Sequence, residues 1–140
     1  MSQSYIPVAL RRLVINRADS VCEYCLIHEN DTFFRCQIDH IISEKHGGLT
    51  EGSNLALSCT YCNLHKGSDI ASLSEQGELT RLFNPRTDQW KEHFVLEGAV
   101  IVPATAIGEV TIALLKLNMI ERLLERQALI DVGAYPGREI

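Results

Sequence analysis

Two C-x-x-C pairs constrain the fold of this 140-residue chain more than any other feature of its sequence. The first, CEYC, contains Cys22 and Cys25, and the second, CTYC, contains Cys59 and Cys62. We call each pair a knuckle. A knuckle turns tightly enough for both sulfurs to reach one ion, so two knuckles can complete a tetrahedral site that is closed to water. The sequence therefore predicts a structural zinc site with four cysteine ligands.

Other uses of the cysteines are open at this level. An iron–sulfur cluster also accepts four thiolates, a C-x-x-C pair can be a redox dithiol, and buried cysteines can stay unligated. In a reducing compartment, two knuckles favour a metal over disulfides. The fifth cysteine, Cys36, lies in an apolar segment and is expected to be a small core residue.

The region between the knuckles predicts a small α+β core. Residues 33–42, FFRCQIDHII, are rich in strand-forming types, and residues 54–59, NLALSC, alternate in polarity. A polar loop with three glycines joins them, and residues 63–73 after the second knuckle suit a short helix. The order is strand, loop, strand, knuckle and helix. We therefore expect a ββα unit whose parts are held together by the zinc site.

The remaining segments frame this core. Pro7 begins a helical pattern, and Asn118-x-x-Glu121 has the form of a helix-capping box. From residue 73 the chain is turn-rich, and its later pattern is typical of a hairpin followed by two helices. The expected division is an N-terminal helix packing on the core (1–20), the ββα core (21–72) and a C-terminal extension (73–140) with a hairpin at about 94–102 and helices at about 105–117 and 119–131.

Composition places the chain among ordinary globular proteins, with 46% hydrophobic and 22% charged residues. No apolar run is long enough to span a bilayer, and the N-terminus lacks the apolar segment of a signal peptide. We therefore expect a cytoplasmic protein without membrane association, and the oligomeric state is left open. The formal net charge of −5 argues against strong, unspecific binding to nucleic acid. It leaves room for a local basic patch or for a metal that faces phosphate.

A closed zinc site places any catalysis on other residues. Asp39 and His40 are adjacent on the first expected strand, and Asn63 directly follows Cys62. A metal shared by the knuckles would bring Asn63 near that strand, so oxygens of Asp39 and Asn63 could bind one hard divalent cation. Neighbouring side chains on a strand diverge, so His40 could act from another side as the base that activates water. This arrangement suits hydrolysis of a phosphodiester.

Residues 21–72 carry the pattern C-x-x-C, IDHIISEKHGG and NLALSC-x-x-CN-x-x-KG, which resembles the HNH endonuclease family with its ββα-metal fold. The resemblance implies that Asp39 is a ligand of the catalytic metal and that His40 is the general base. It implies that Asn54 holds the long loop by side-chain hydrogen bonds to backbone, so that His40 is correctly aimed. Asn63 stands in the place of the second metal ligand, which is histidine in some members and asparagine in others.

The literal His-Asn-His of the family name is here His40, Asn54 and Asn63. Asparagine is a weaker ligand than imidazole for Zn²⁺ or Ni²⁺, but it suits Mg²⁺ or Mn²⁺. The sequence thus predicts an endonuclease that uses Mg²⁺ or Mn²⁺ to hydrolyse phosphodiester bonds in nucleic acid, with DNA as the expected substrate.

Three nearby residues each have two interpretations. His65 could ligate the metal or touch a phosphate, or it could face solvent. Lys66 could neutralise phosphate or be an exposed, solvated lysine, and His46 could bind the scissile strand or simply be exposed on its loop. The main alternative for the whole chain is a zinc-stapled module that binds nucleic acid or protein without cutting. The net acidity favours that alternative.

Overall fold

A computed structural model describes residues 5–140 as an α+β fold, as the sequence predicts. The α-helices are α1 (Val8–Arg17), α2 (Thr60–Lys66), α3 (Trp90–His93), α4 (Ala106–Leu115) and α5 (Ile120–Asp131). The strands are β1 (Gln37–His40), β2 (Leu55–Ser58), β3 (Ala71–Leu73), β4 (Leu79–Arg81), β5 (Phe94–Glu97) and β6 (Val100–Pro103). They form three two-stranded antiparallel sheets, β1–β2, β3–β4 and β5–β6. Within residues 5–140, no helix is long and apolar enough to cross a membrane.

β1 and β2 form the antiparallel pair of the ββα unit. Gln37 pairs with Ser58 and His40 pairs with Leu55, so each strand contributes four residues. α1 packs against β2, and α2 follows β2 closely in the chain and contacts β1. The cluster that includes the α1–β2 contact is formed by the buried residues Ile6, Val14, Ala18, Leu55 and Leu57. The β1–β2 pair is therefore packed against two helices, α1, which precedes it in the chain, and α2, which follows it.

The first strand is shorter than the expected span of residues 33–42. β1 covers only Gln37–His40, because β2 offers four residues for pairing. Phe33 and Phe34 precede β1 and are 93% and 63% exposed. Strand-forming side chains are not sufficient to extend a strand beyond its hydrogen-bonded partner. The sequence expectation is therefore wrong at both ends of this strand.

The helix after β2 is displaced from the expected span of residues 63–73. It begins at Thr60 because the Sγ of Cys59 accepts the N–H of Cys62 at 3.5 Å and caps the helix. It ends before Gly67, whose φ of +52° favours glycine. Ala71–Leu73, expected in the helix, forms β3. The knuckle itself is thus the N-terminus of α2.

The expected capping box at the start of α5 is also wrong. The Oδ1 of Asn118 accepts the N–H of Ile101 at 3.0 Å, and its Nδ2 donates to the carbonyl oxygen of Ile101 at 2.8 Å. Arg126 donates its Nη2 to the same Oδ1 at 2.9 Å. The side chain of Asn118 therefore ties α5 to β6, and α5 begins without a side-chain cap.

One hydrophobic core joins the two halves of the chain. Its buried residues from the first half are Val21, Cys22, Tyr24, Cys25, Leu26, Ile27, Ile41, Ala56, Cys59 and Cys62. Those from the second half are Leu82, Phe83, Trp90, Phe94, Ile101, Val110, Leu115, Leu117 and Tyr135. The knuckle region thus buries its apolar surface against the C-terminal half.

The shared core predicts that residues 1–72 do not fold without the rest of the chain. Removing residues 73–140 exposes the apolar surface of the knuckle region, and a chain this short has little core of its own. We expect the 1–72 fragment with one equivalent of zinc to show poorly dispersed amide resonances and no cooperative thermal transition. The full chain under the same conditions is the control. Dispersed resonances with a cooperative transition in the fragment would contradict this prediction.

Candidate functional site

The four knuckle cysteines converge on one point. Their Sγ atoms all lie within 4.8 Å of one another, and all four residues are buried. An antiparallel bridge between Val21 and His28 closes the first knuckle, and the N-terminus of α2 forms the second. Leu26, just after the first knuckle, has a φ of +65° in this tight turn. The predicted quartet of Cys22, Cys25, Cys59 and Cys62 is therefore positioned to form a four-cysteine metal site.

The donor chemistry of the quartet fits zinc. Four thiolates within reach of one ion form a closed structural site for zinc. Hydrogen bonds from the three other knuckle cysteines hold the pKa of Cys59 well below its ordinary value, and the charge of Arg122 acts in the same direction. Burial raises the pKa of Cys22. Because zinc is bound by thiolates, metal binding would release the protons that the cysteine thiols carry.

The inner residues of the first knuckle hold the β1–β2 pair. Tyr24 donates its hydroxyl to the Oδ2 of Asp39 at 2.9 Å, and both groups are buried. Glu23 accepts the backbone N–H of Leu57 at 2.8 Å and forms an ion pair with Arg86. No pattern in the sequence indicates these contacts. They connect the metal site directly to the strand that carries the candidate catalytic residues.

Asp39 forms a buried ion pair with Lys66. The Nζ of Lys66 lies 3.1 Å from Oδ2 and 3.3 Å from Oδ1 of Asp39, and it donates to the carbonyl oxygen of His40 at 3.1 Å. Lys66 is 1% exposed and Asp39 is 5% exposed. Burial raises the pKa of Asp39, and the Lys66 ammonium opposes that rise. The interpretation of Lys66 as an exposed, solvated lysine is wrong, because this side chain lies buried between α2 and β1. Its contact with a phosphate stays a prediction.

Asp39 and Asn63 lie on facing elements. Gln37 and Asp39 share one face of β1, because alternate residues of a strand point the same way. Asn63 donates its Nδ2 to the Oε1 of Gln37 and so meets β1 two residues from Asp39. The Oδ1 of Asn63, the atom that a metal would use, is not part of that bond. A carboxylate has about four lone-pair positions, so Asp39 keeps capacity beside Tyr24 and Lys66. Binding of a hard divalent cation by these two oxygen donors stays a prediction.

His40 is held through one ring nitrogen. Its Nε2 lies 2.9 Å from the Oγ1 of Thr50 and 3.6 Å from the Oε1 of Glu44. A carboxylate at this distance favours the tautomer with a proton on Nε2, and that tautomer leaves the lone pair of Nδ1 available. Nδ1 is buried and has no hydrogen-bond partner among residues 5–140. A buried nitrogen without a partner is costly, so its retention points to a functional role.

Asn54 clamps the loop between β1 and β2. Its Oδ1 accepts the N–H of Ile42, and its Nδ2 donates to the carbonyl oxygens of Ile42 and Leu49, with all three distances at 2.9 Å. Gly48 packs against this clamp, since a Cβ added there would lie 1.7 Å from the carbonyl oxygen of Ile42. The clamped loop carries the partners of His40. Its conformation therefore sets the orientation of the imidazole.

Arg17 contributes a second restraint on the loop between β1 and β2. The sequence did not indicate this restraint. This residue is exposed on α1, yet its Nη2 donates to the carbonyl oxygen of Gly52 at 2.6 Å and to that of Leu55 at 2.5 Å. The two acceptors lie on either side of Asn54 in the chain. α1 thus helps to fix the end of the loop. No local pattern marks such a contact, because it joins residues 35 and 38 positions apart.

The two remaining candidates lie at less buried positions. His46 is exposed in a 3₁₀ turn, Glu44–His46, within the loop. His65 is half-buried on α2. Contacts of either side chain with a metal or a phosphate stay predictions.

Comparison with known proteins identifies the segment that carries this site. The family model described as HNH endonuclease matches residues 22–69. The matched segment contains both knuckles, the β1–β2 pair and α2, so the family resemblance predicted from the sequence is confirmed for these residues. No curated protein and no solved structure matches the chain. The match supports a function of the nuclease family, related to nucleic acids, and the individual residue roles stay predictions.

We expect the purified protein to contain one zinc ion per chain and to unfold when a strong chelator removes it, because the metal joins both knuckles. Elemental analysis and circular dichroism measure the two effects. Cys62→Ser should lose the zinc, whereas Cys36→Ser, outside the quartet, should retain it. Full zinc content in Cys62→Ser, or iron in place of zinc in the parent protein, would contradict the assignment.

Replacing Lys66 by Met should lower the free energy of unfolding by about 3–5 kcal/mol, because the carboxylate of Asp39 stays buried without its cation. Urea titration of the zinc-loaded protein measures the change. Lys45→Met is the matched control, because Lys45 is exposed, and its effect should stay within about 0.5 kcal/mol. Similar small losses in both variants would refute the energetic role of the buried pair.

Proposed function

We propose that this protein is a metal-dependent endonuclease that hydrolyses phosphodiester bonds in DNA. The observation that carries the proposal is the hydrogen bonding of the His40 imidazole, which lies in the segment matched by the HNH endonuclease model. One ring nitrogen is held by the clamped loop, and the other is buried without a hydrogen-bond partner among residues 5–140. A fixed imidazole with an available lone pair is what a general base requires.

His40 would take the proton from the water that attacks phosphorus. Thr50 restrains rotation of the imidazole, and Glu44 favours the tautomer that leaves Nδ1 as the accepting atom. As that proton arrives, the imidazole becomes a cation, and the nearby Glu44 carboxylate stabilises the positive charge. Asn54 would act indirectly, because its three hydrogen bonds fix the loop that carries Thr50 and Glu44.

Asp39 and Asn63 would hold the divalent metal, with Mg²⁺ or Mn²⁺ expected from the oxygen donors. When bound, such an ion stabilises negative charge on the departing oxygen of the phosphodiester. Asp39 is oriented for this role by Tyr24 and Lys66, which bond its carboxylate from the first knuckle and from α2. Burial raises the pKa of Asp39, and the buried ammonium of Lys66 opposes that rise.

Two observations favour a second candidate, a zinc-stapled module that binds nucleic acid or protein without cutting. In this structure, Asp39 is 5% exposed and its carboxylate already bonds Tyr24 and Lys66. Such an ion pair can serve as a purely structural element. The net charge of −5 also suits a protein that does not bind DNA strongly by charge alone. The uncommitted Nδ1 of His40 is the feature that this candidate leaves without a purpose.

A plasmid-nicking assay separates the two candidates. We expect the zinc-loaded protein to convert supercoiled plasmid DNA to the nicked form with Mg²⁺ or Mn²⁺. His40→Ala should lower the rate by about 10²–10⁴-fold, the usual contribution of a general base. His28→Ala is the control, because His28 lies outside the proposed site and bonds the backbone N–H of Asn30.

The assay also includes single-stranded DNA and RNA as substrates, which tests the assignment of DNA directly. The assay is repeated with Mg²⁺, Mn²⁺, Ca²⁺, Ni²⁺ and Zn²⁺, so that a lack of cleavage cannot be due to testing an unsuitable metal. Binding of DNA without cleavage under every metal would reject the enzyme and establish the binding module. Equal nicking by the His40→Ala variant would reject His40 as the base.

A further inference from the structure

Arg122, in the first turn of α5, reaches the metal site from the C-terminal half of the chain. It is 3% exposed. Its Nη2 lies 3.1 Å from the Sγ of Cys25 and 3.7 Å from the Sγ of Cys59, and its Nη1 lies 3.7 Å from the Sγ of Cys59. The guanidinium therefore contacts one sulfur of each knuckle. These contacts join residues 97 and 63 positions apart in the sequence.

The electrostatic setting explains why a cation lies there. Four thiolates around one divalent ion leave an excess of negative charge, and such charge is costly in a buried site unless it is compensated. Arg122 brings a positive charge and several N–H donors in a fixed planar fork. Its other neighbours are the Oε1 of Glu125, 3.2 Å from Nε, and the ring of Tyr61, whose centroid lies 5.0 Å away. The Nη atoms are thus the part of the side chain directed at sulfur.

The adjacent buried arginine has different partners. Arg126 donates its Nε to the carbonyl oxygen of Ala99 at 2.7 Å and its Nη2 to the Oδ1 of Asn118 at 2.9 Å. These are contacts to the β5–β6 turn and to the segment before α5. Arg126 therefore supports the fold without a hydrogen bond to the quartet among its described contacts. Arg122 and Arg126 are thus two buried arginines on the same helix, of which Arg122 has described bonds to sulfur and Arg126 has none.

We propose that Arg122 is a positioning residue for the structural metal. Its guanidinium donates N–H···S hydrogen bonds to Cys25 and Cys59 and offsets the negative charge of the thiolate quartet. Both effects strengthen retention of the metal. Because the residue belongs to α5, tight metal binding then depends on docking of the C-terminal helix. The inference does not depend on nuclease activity, and it gives the extension a direct role at the metal.

The test uses the full chain with Co²⁺ as a spectroscopic probe and Zn²⁺ for affinity. Arg122→Gln should lower the zinc affinity by about 10- to 100-fold, as expected for loss of a hydrogen bond to a metal ligand. It should also shift the sulfur-to-cobalt charge-transfer band to lower energy, because a sulfur without its N–H donors gives up electron density more easily. Arg122→Lys, which keeps the charge but not the fork, should recover part of the affinity.

Arg126→Gln is the matched control for a general loss of stability. It should lower the unfolding temperature yet leave the charge-transfer band at the parent position, because Arg126 makes no described bond to sulfur. An unshifted band and parent zinc affinity in Arg122→Gln would overturn the proposal, and so would an equal band shift in Arg126→Gln. If Arg122→Gln does not fold, the charge-transfer band of Arg122→Lys tests the proposal instead. A shifted band in that variant supports the proposal, and a parent band refutes it.

Discussion

Coordination by four cysteines is the interaction on which the rest of this structure depends. The first knuckle carries Tyr24, whose hydroxyl bonds Asp39, and the second knuckle begins α2, whose later residues include Asn63 and Lys66. A metal shared by the knuckles therefore fixes α2 against β1 at the point where the candidate catalytic side chains lie. A chain of this size has a limited core, and a buried metal supplies stability that apolar contacts alone provide less readily.

The C-terminal half completes the metal site rather than merely covering it. Trp90 donates its Nε1 to the carbonyl oxygen of Tyr24 at 2.9 Å, and Tyr135 donates its hydroxyl to the carbonyl oxygen of Cys25 at 2.7 Å. Together with Arg122, these side chains bond the first knuckle at its backbone and at its sulfur. Metal binding, the shared core and the geometry of β1 are therefore coupled.

The sequence predicted the elements that depend on short-range patterns. The cysteine quartet, the α+β class and the HNH segment follow from spacing and motif, and the structure and the family match agree with them. The errors concern features that tertiary contacts decide. The strand around Asp39 is limited by the length of its partner, and α2 starts early because Cys59 caps it. The polar side chain of Asn118 is used to bind β6, so it cannot cap α5.

The sequence by itself determined the ligand set and the catalytic candidates, because two knuckles and the Asp39–His40 pair are recognisable from residue type and spacing alone. Only the tertiary structure decided that Lys66 is buried against Asp39, that Thr50 holds His40, and that Arg122 bonds the quartet. The physical reason is the separation in sequence between the residues that interact. Local sequence encodes turns, caps and ligand spacing, whereas a buried charge acquires its partner only when distant segments pack together and exclude water.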